Sequence, residues 1–393
     1  MMDKIKLGII GIGNMGSAHA KNITDGKCPE IELVAIADTD LKRLDWAKKQ
    51  GYGDDITYFN NGLQMLDSGL IDACIIAVPH YDHPSLAIEC MKRSIHIMLE
   101  KPAGVYTKQV LEMNAEAEKH PEVVFGMMFN QRTNPVYKKL REYVRSGKYG
   151  EIRRTNWLIT TWYRPQAYYN SGGWRATWAG EGGGVLLNQC PHQLDLWQWI
   201  CGMPVKVDAH LHYGKWHDIE VEDDVTAYVE YENGASGVFI TSTGDAHGTN
   251  RFEIQMDKAK FVVENDVLTV CEYEMTEQEF SKTNTKLFGR VNAETFKVEI
   301  DEENPAHVGV LNAWADAILH GGKLVADGRE GINGLSLSNA MHLSSFLDKE
   351  IILPLDDKLY YDELKKRIAT SKKKETISGG FADDSAVMGS TKS

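Results

Sequence analysis

The sequence has no apolar run that approaches the ~18 residues of a membrane-spanning helix, and its basic residues are outnumbered by acidic ones. Lys and Arg total 43 against 56 Asp and Glu, so the formal net charge is −13. This negative balance argues against nucleic acid or an anionic membrane as the main partner. No secretory signal precedes the first apolar segment, and we therefore expect a cytoplasmic protein.

Cysteine is also scarce, with six in 393 residues and no two at CxxC spacing. The sequence therefore offers neither a zinc motif nor a disulfide framework and is typical of a reduced cytosolic protein. We predict no metal site, because the histidines of the second half show no convincing metal-ligand spacing; those considered are His210, His212, His217, His247 and His307.

What the sequence does have is length for two domains and an ordinary globular composition, 42% hydrophobic and 25% charged. Over residues 1–126, short apolar runs alternate with helical patterns, which predicts βαβ units in a doubly wound parallel sheet of the Rossmann type. The predicted strands are 6–10, 32–37, 73–78, 95–99 and 123–126, and the predicted helices are 15–23, 41–50, 62–66, 84–93 and 108–119.

The pattern changes beyond residue 126. A helix fits 135–145, an alternating strand fits 151–163, and later extended segments are joined by turn pairs such as Asn233-Gly234. We predict an α+β domain over 127–370, with a large, mostly antiparallel open sheet closed by helices near 307–320 and 331–347. Residues 371–393, rich in Lys, Ser and Gly, are predicted to form a flexible tail.

The segment Gly11-Ile12-Gly13-Asn14-Met15-Gly16 follows a predicted strand and opens a predicted helix. Gly11 permits the tight turn, Gly13 lets the backbone approach a pyrophosphate, and Gly16 lets the helix pack on the strand. The helix N-terminus, beginning at Asn14 and Met15, offers N–H groups and a partial positive charge to that pyrophosphate. We predict a dinucleotide site here.

Asp38 ends the second predicted strand, 22 residues after Gly16. Its carboxylate can accept hydrogen bonds from both ribose hydroxyls of NAD and would repel the 2′-phosphate of NADP. Thr39, not an arginine, follows it, so NAD is favoured over NADP. Two interpretations of Arg43 stay open, which are stacking on the adenine and a place on a solvated helix face.

Two further groups follow predicted strands at their carboxyl ends, where ligands collect in parallel sheets. Pro79 and His83 could border the nicotinamide, although His83 could equally be a neighbour of a helix cap. Glu100-Lys101-Pro102 places a charged pair after a buried strand, with Pro102 fixing the turn and able to take a cis bond. Lys101 either polarises a substrate hydroxyl with a lowered pKa or is a solvated loop lysine.

The other half of the predicted site is the stretch 182–195, in which Asn188 and His192 are four residues apart. On a helix this spacing points both side chains to one cleft. His192 can take a proton from an alcohol as hydride leaves. The alternative is a hydrogen-bonded core histidine.

These residues together, from Gly11–Gly16 and Asp38 to Glu100-Lys101-Pro102 and 182–195, resemble the Gfo/Idh/MocA family of oxidoreductases over about residues 4–350. The resemblance implies a Rossmann domain and an α+β domain that associates as a dimer or tetramer. It also implies that Lys101 contacts the substrate hydroxyl and the nicotinamide and that His192 transfers the proton. Asn130 and Glu100 are expected beside the cofactor.

One departure is clear, because inositol dehydrogenases of the family carry Asp where this chain has Asn188. Asn cannot hold a proton or stabilise an imidazolium as a carboxylate does, which weakens an inositol dehydrogenase interpretation. Asp195, one turn beyond His192, either compensates in part or serves packing inside the domain.

An aromatic and arginine-rich stretch, 161–175, offers rings and guanidinium groups of the kind that bind sugars. We predict substrate contacts from Trp162, Arg164 and Arg175, and from His247 further along. The alternative is a Trp-rich core with a subunit interface. The stretch is similar to a family branch that oxidises hexopyranosides at carbon 3.

Three classes of function remain. The first is an NAD-dependent dehydrogenase of a sugar, glycoside or polyol, in which His192 removes the proton and Lys101 stabilises the oxyanion. The second is a redox-neutral glycosidase or lyase, distinguished because it accumulates no NADH. The third is a non-catalytic NAD-sensing regulator, against which the presence of both side chains counts.

Overall fold

The computed structural model describes residues 4–372, and its first sheet is parallel throughout. The strands lie in the order β3-β2-β1-β4-β5-β6, so the order reverses between β1 and β4 as in doubly wound folds. Their bounds are β1 Ile5–Ile10, β2 Ile31–Ala37, β3 Thr57–Phe59, β4 Ala73–Ile76, β5 His96–Leu99 and β6 Phe125–Met127. The predicted Rossmann-type sheet is confirmed, and the division predicted at residue 126 lies inside β6.

Helices cover both faces of this sheet, which is why its central strands are continuous apolar runs without alternation. All four residues of β4, for example, are buried. The helices are α1 Asn14–Thr24, α2 Leu41–Ala47, α3 Gly62–Leu66, α4 His83–Met91 and α5 Thr107–Ala117. Strand β3 was not predicted, because this three-residue edge strand is only partly buried and leaves no apolar run in the sequence.

The second sheet has nine strands in the order β14-β13-β12-β11-β7-β10-β9-β8-β15, and only the β7–β10 pair is parallel. The predicted, mostly antiparallel sheet is therefore confirmed. Its strands are β7 Ile152–Ile159, β8 Lys206–Tyr213, β9 Glu222–Glu230, β10 Ser236–Ser242, β11 Asn250–Met256, β12 Ala259–Glu264, β13 Val267–Tyr273, β14 Ala293–Lys297 and β15 Ile351–Ile352.

One face of the second sheet packs on helices and the other faces outward, as the alternation of buried and exposed residues along β9 records. The helices of this half are α6 Pro135–Arg145, α7 Gln166–Asn170, α8 Pro191–Cys201, α9 Glu277–Thr283, α10 Ala306–His320, α11 Gly331–Leu347 and α12 Asp357–Thr370. Short or exposed elements without strong periodicity, namely α7, α9, α12, β14 and β15, were not predicted. None of the helices within residues 4–372 combines the length and apolar character that crossing a membrane requires.

Helix α10 returns to the first half of the molecule. Leu311 and Trp314 are fully buried against a core that includes Leu7 and Ile9 of β1. The indole N–H of Trp314 donates to the carbonyl of Val124, 3.3 Å away. The chain thus completes its parallel-sheet domain with a helix that comes 180 residues after β6.

Of the predicted C-terminal tail, only Ser371 and Lys372 fall among the described residues, and 373–393 lie outside them. The Ser371 hydroxyl donates to the carboxylate of Glu220 at 2.6 Å. The chain is therefore still in contact with the second domain at this point.

A buried ion pair fixes the start of α8 against the segment that links the two sheets. Arg132 donates to Asp195 through two nitrogens, at 2.8 and 2.7 Å, and both side chains are about 1% exposed. The third guanidinium nitrogen donates to Glu330 at 2.7 Å. Of the two predicted roles of Asp195, the structure supports packing inside the domain, because its carboxylate is occupied by Arg132.

Replacing Asp195 with Ala should destabilise the protein by about 3–5 kcal/mol, because the Arg132 guanidinium would lose its buried counter-charge. The measurement is urea unfolding followed by tryptophan fluorescence. Asp362→Ala, which breaks an exposed pair with Lys358 on α12, is the control and should leave the midpoint unchanged. An Asp195→Ala midpoint equal to that of the wild type would contradict the prediction.

Candidate active site

The glycine-rich loop between β1 and α1 has the geometry of a phosphate-binding turn. Gly11 has φ +92°, and a Cβ on Gly16 would lie 1.9 Å from the Gly11 carbonyl oxygen, so the helix packs against the turn as closely as predicted. Gly13 caps α1 without any side-chain hydrogen bond, and no acidic residue occupies the first turn. The amide groups at this N-terminus suit an anionic pyrophosphate.

Asp38 connects the end of β2 to this loop. One carboxylate oxygen accepts from the Ile12 N–H at 2.9 Å and the other from the Asp40 N–H at 2.8 Å. Each oxygen keeps a second lone pair, so the carboxylate can still accept from ribose hydroxyls. Thr39 is exposed beside it, and the Arg43 guanidinium lies 4.0 Å from where a Gly13 Cβ would stand. Arg43 is thus beside the loop, and its contact with the cofactor stays a prediction.

Glu100, at the end of β5, is a buried carboxylate with an established partner. His19 of α1 lies 2.6 Å from one of its oxygens, and the Lys101 N–H donates to the other at 3.2 Å. Burial alone would raise the pKa of Glu100, but the hydrogen bond with His19 and the nearby positive charges bring it to about 2. Glu100 is thus a fixed negative charge under the cofactor cleft. The Lys101-Pro102 bond is cis.

Lys101 crosses the cleft. Its ammonium donates to the main-chain carbonyl of Asn188 at 2.9 Å, and so joins the end of β5 to the loop before α8. Burial lowers the pKa of Lys101, as do Arg175 and Arg164, while the carboxylates of Glu100 and Glu181 oppose that shift. A lysine with these contacts is not a solvated loop residue, and its action on a substrate hydroxyl stays a prediction.

His192 is the second residue of α8 and is 8% exposed. Within the described part of the chain, its buried Nδ1 has no hydrogen-bond partner. Burial, followed by the charge of Lys101 and the neighbouring His307, lowers the pKa of His192 to about 3. Its ring is therefore neutral at ordinary pH and able to accept a proton. The unpartnered nitrogen does not fit the alternative of a hydrogen-bonded core histidine.

Asn130 follows β6, at the carboxyl edge of the parallel sheet, and is buried. Its amide nitrogen is 3.5 Å from Nδ1 of His307, and among residues 4–372 its buried Oδ1 finds no partner. His307 comes from α10, and its ring centroid is 5.7 Å from that of His19. Burial, together with His19 and Lys101, lowers the pKa of His307 to about 4. An orphaned buried amide oxygen suits a bound polar group such as a carboxamide.

The residues after β4 brace the cleft. The two ring nitrogens of His83 lie 2.7 Å from the Pro102 carbonyl and 2.8 Å from the Val78 carbonyl, which favours a positioning role. Pro79 begins the following turn, and its neighbour His80 is buried with Nδ1 3.4 Å from the Glu181 carbonyl. His80 was not predicted as a site residue.

The aromatic and arginine-rich stretch reaches the same cleft through Tyr168. Arg175 donates to the Tyr168 hydroxyl at 2.8 Å and stacks on its ring at 4.5 Å. Arg164 stacks on that ring at 5.2 Å and on Trp162 at 5.6 Å. The Asn188 amide lies 3.4 Å from the same hydroxyl. The structure thus brings Arg164 and Arg175 together on Tyr168, with Trp162 against Arg164, and Tyr168 links this cluster to Asn188.

His247 does not join the other predicted substrate-binding residues. It is exposed, and in the described ranges nothing connects it to Lys101 or His192. Sequence reasoning also missed the buried residues His19 and Glu181 and the half-buried His307 as members of the site. Glu181 accepts hydrogen bonds from the Asn188 side-chain amide and from the Ala176 N–H, the latter at 2.6 Å. The sequence signal for Glu181 was only its place before the triple glycine.

A dinucleotide loop at the switch point of a parallel sheet, facing a lysine and a neutral histidine across an interdomain cleft, defines an NAD-binding oxidoreductase. Residues 5–127 match the family model of the oxidoreductase family with an NAD-binding Rossmann fold, and residues 137–262 match the Gfo/Idh/MocA C-terminal domain. The chain belongs to the Gfo/Idh/MocA family of oxidoreductases. The predicted family and NAD cofactor are confirmed.

Among the relatives, myo-inositol 2-dehydrogenase of Thermotoga maritima is 26% identical over 66% of this chain and 75% of that protein. Levoglucosan dehydrogenase of Pseudarthrobacter phenanthrenivorans is 24% identical over 64% of this chain and 70% of that protein. The rhizopine catabolism protein MocA of Rhizobium meliloti is 27% identical over 51% of this chain, and the match spans 58% of its own length.

Solved structures share the whole fold. The WlbA dehydrogenase from Bordetella pertussis, in complex with NADH and UDP-GlcNAcA, has a TM-score of 0.74 at 24% identity, covering 90% of this chain and 100% of that one. Levoglucosan dehydrogenase in complex with NADH and levoglucosan has a TM-score of 0.73 at 19% identity, covering 89% and 100%. At these identities the likeness concerns the fold.

Replacing Asp38 with Asn should weaken NADH binding about tenfold or more and reduce the preference for NADH over NADPH. The reason is that hydrogen bonds to a charged group contribute about 1.5–3 kcal/mol, and the repulsion of a 2′-phosphate would be removed. Fluorescence titration of both cofactors measures this. Asp45→Asn on the exposed side of α2 is the matched control, and unchanged NADH and NADPH affinities in Asp38→Asn would refute the assignment.

The buried histidines predict acid sensitivity. His192 and His307 have folded pKa values of about 3 and about 4, below the ordinary 6.5, so the unfolded state binds more protons as the pH falls below 6.5. The stability is fully present above that pH and is lost toward pH 4, by roughly 2 kcal/mol at pH 5 for a histidine that stays neutral. The melting temperature should therefore fall between pH 7.5 and pH 5.

The fall should be smaller in His307→Asn, because this variant no longer carries the histidine that protonates only on unfolding. His320→Asn is the control, since His320 is exposed and the carboxylate of Glu30 raises its pKa. Scanning calorimetry at both pH values measures the difference. An equal fall in the His307→Asn variant and the wild type would contradict this account.

Proposed function

We propose that this protein is an NAD-dependent dehydrogenase that oxidises a secondary alcohol of a sugar or glycoside, with carbon 3 of a hexopyranoside as the preferred position. The observation that carries the proposal is the hydrogen bond from the Lys101 ammonium to the Asn188 carbonyl. It holds the cation of one domain beside the helix that carries His192, at the carboxyl edge of the parallel sheet.

The chemistry follows from the protonation states. A neutral His192 removes the proton of the substrate hydroxyl, and the Lys101 ammonium donates a hydrogen bond to the oxygen as negative charge develops on it. NAD, when bound, supplies the acceptor for the hydride that leaves the carbon. The buried charge of Glu100 stabilises the Lys101 ammonium. General base catalysis contributes ~10²–10⁴ in rate.

The substrate class rests on the walls of the cleft and on the relatives. Trp162 and Tyr168 contribute aromatic surface against the guanidinium groups of Arg164 and Arg175, whose remaining N–H groups can donate to sugar hydroxyls. Relatives are named as inositol and levoglucosan dehydrogenases. An inositol substrate is the alternative, disfavoured by Asn188. Association as a homo-oligomer and a cytoplasmic location stay predictions.

The test is a panel of hexoses, aryl glycosides and inositols incubated with NAD, with NADH followed by absorbance and the new carbonyl located by NMR. Lys101→Met and His192→Asn should each lower the rate by about 10²–10⁴, whereas NADH binding should change little. Lys49→Met, at an exposed position of the first domain, is the control.

Full turnover in Lys101→Met would overturn the proposal. Cleavage of a glycoside without accumulation of NADH would indicate instead the redox-neutral glycosidase or lyase. Binding of NADH with no conversion of any substrate class would favour the sensing regulator.

A further inference from the structure

Glu181 is a buried carboxylate that the proposed reaction does not use. It is 2% exposed and lies directly before the triple glycine, where its main-chain carbonyl is 3.4 Å from His80. One carboxylate oxygen accepts from the Ala176 N–H at 2.6 Å. The other accepts from the side-chain amide of Asn188. Burying such a group is costly unless its charge is used or compensated.

We propose that Glu181 is a positioning residue that holds Asn188, and through its main-chain carbonyl the Lys101 ammonium, and that it supplies a counter-charge to that ammonium. The inference rests on the proposed function for its catalytic consequence. The geometry is a short relay of two hydrogen bonds, from the Glu181 carboxylate to the Asn188 amide and from the Asn188 carbonyl to Lys101.

The Glu181 carboxylate opposes several effects that lower the pKa of Lys101. The two arginines of the cleft and its own burial favour loss of the proton from Lys101. Glu100, the other nearby carboxylate, is already hydrogen-bonded to His19. The titratable and charged groups that act on Lys101 or feel its charge are Glu100, Glu181, Arg164, Arg175, His80, Cys190, His192 and His307.

The relay also gives meaning to Asn188. An amide can donate to Glu181, whereas an aspartate at this position would place a second buried carboxylate against the first. The carboxylate that inositol dehydrogenases carry at position 188 is therefore replaced in this site by the carboxylate of Glu181, which contacts the Asn188 amide. The pair of Glu181 and Asn188 does jointly what a single acidic side chain would do alone.

Loss of the Glu181 charge should make Lys101 release its proton at lower pH. In Glu181→Gln, which keeps the side-chain volume, the deprotonation midpoint of Lys101 should fall by about one pH unit. The measurement is the pH dependence of Lys101 labelling by an amine-reactive reagent on the whole protein, quantified by peptide mass spectrometry. Exposed Lys49 serves as the internal reference.

The matched control is Glu220→Gln. Glu220 also accepts from a backbone N–H of this segment, that of Trp178 at 3.2 Å, but it does not act on Lys101. Its variant should leave the midpoint unchanged. The charge-swapped double variant E181Q/N188D should move the midpoint back toward the wild-type value, because a carboxylate returns beside an amide at the same place.

A Glu181→Gln midpoint equal to that of the wild type would overturn the proposal, as would a double variant that keeps the lowered midpoint. Circular dichroism melts establish that each variant is folded, and Glu181→Asp, which retains the charge, decides the matter if the Gln variant does not fold. In that variant a midpoint within 0.3 pH units of the wild type, about a twofold change in proton affinity, supports the role of the charge, and a larger fall overturns it.

The kinetic consequence separates this proposal from the function itself. With a substrate identified, the basic limb of kcat/KM should move down by the same shift in Glu181→Gln, while the KM for NAD stays unchanged. If no sugar or inositol is oxidised by the wild type, the proposed function fails, yet the labelling midpoints still decide whether Glu181 controls Lys101.

Discussion

The hydrogen bond between the Lys101 ammonium and the Asn188 carbonyl is the contact on which the site depends. It joins the end of a parallel strand in one domain to the loop before a helix of the other. The Lys101 nitrogen and the Asn188 carbonyl oxygen are 2.9 Å apart, so the bond requires both segments to be in place. A cation at this place lies under the carboxyl edge of the sheet, where a dinucleotide binds in doubly wound folds. Because this contact fixes the loop before α8, it also fixes the position of His192 relative to Lys101.

A second constraint is the cost of burying charge. The cleft holds Lys101 and two arginines, and each buried acidic group nearby has a defined partner, His19 for Glu100 and the Asn188 amide for Glu181. The His192 imidazole in the same volume is neutral at rest because burial, and then the charge of Lys101, lowers its pKa. The pKa values of Glu100 and His192 are both lowered, which keeps the carboxyl ionised and the imidazole neutral, and perturbed pKa values of this kind are typical of functional sites.

The glycine-rich loop, Asp38 and Lys101 could be predicted because their signals are local: a motif, or a charge directly after an apolar strand. The same holds for His192, at a recognisable helix start. Glu181 lies only seven residues before Asn188, but nothing in the sequence shows that its carboxylate turns onto that side-chain amide. His19 and His307 could not be predicted, since their contacts are with residues 81 and 177 positions away in the chain. The role of Asp195 was undecided for the same reason, because its partner Arg132 lies 63 residues away.

Helix α10 gives the cofactor-binding domain a discontinuous chain. Its Leu311 and Trp314 cover one face of the parallel sheet, and its His307 meets Asn130 in the cleft. A fragment ending after β6 would expose the part of that face which Leu311 and Trp314 cover. During synthesis the glycine-rich loop is therefore made long before the helix that completes the core beside it.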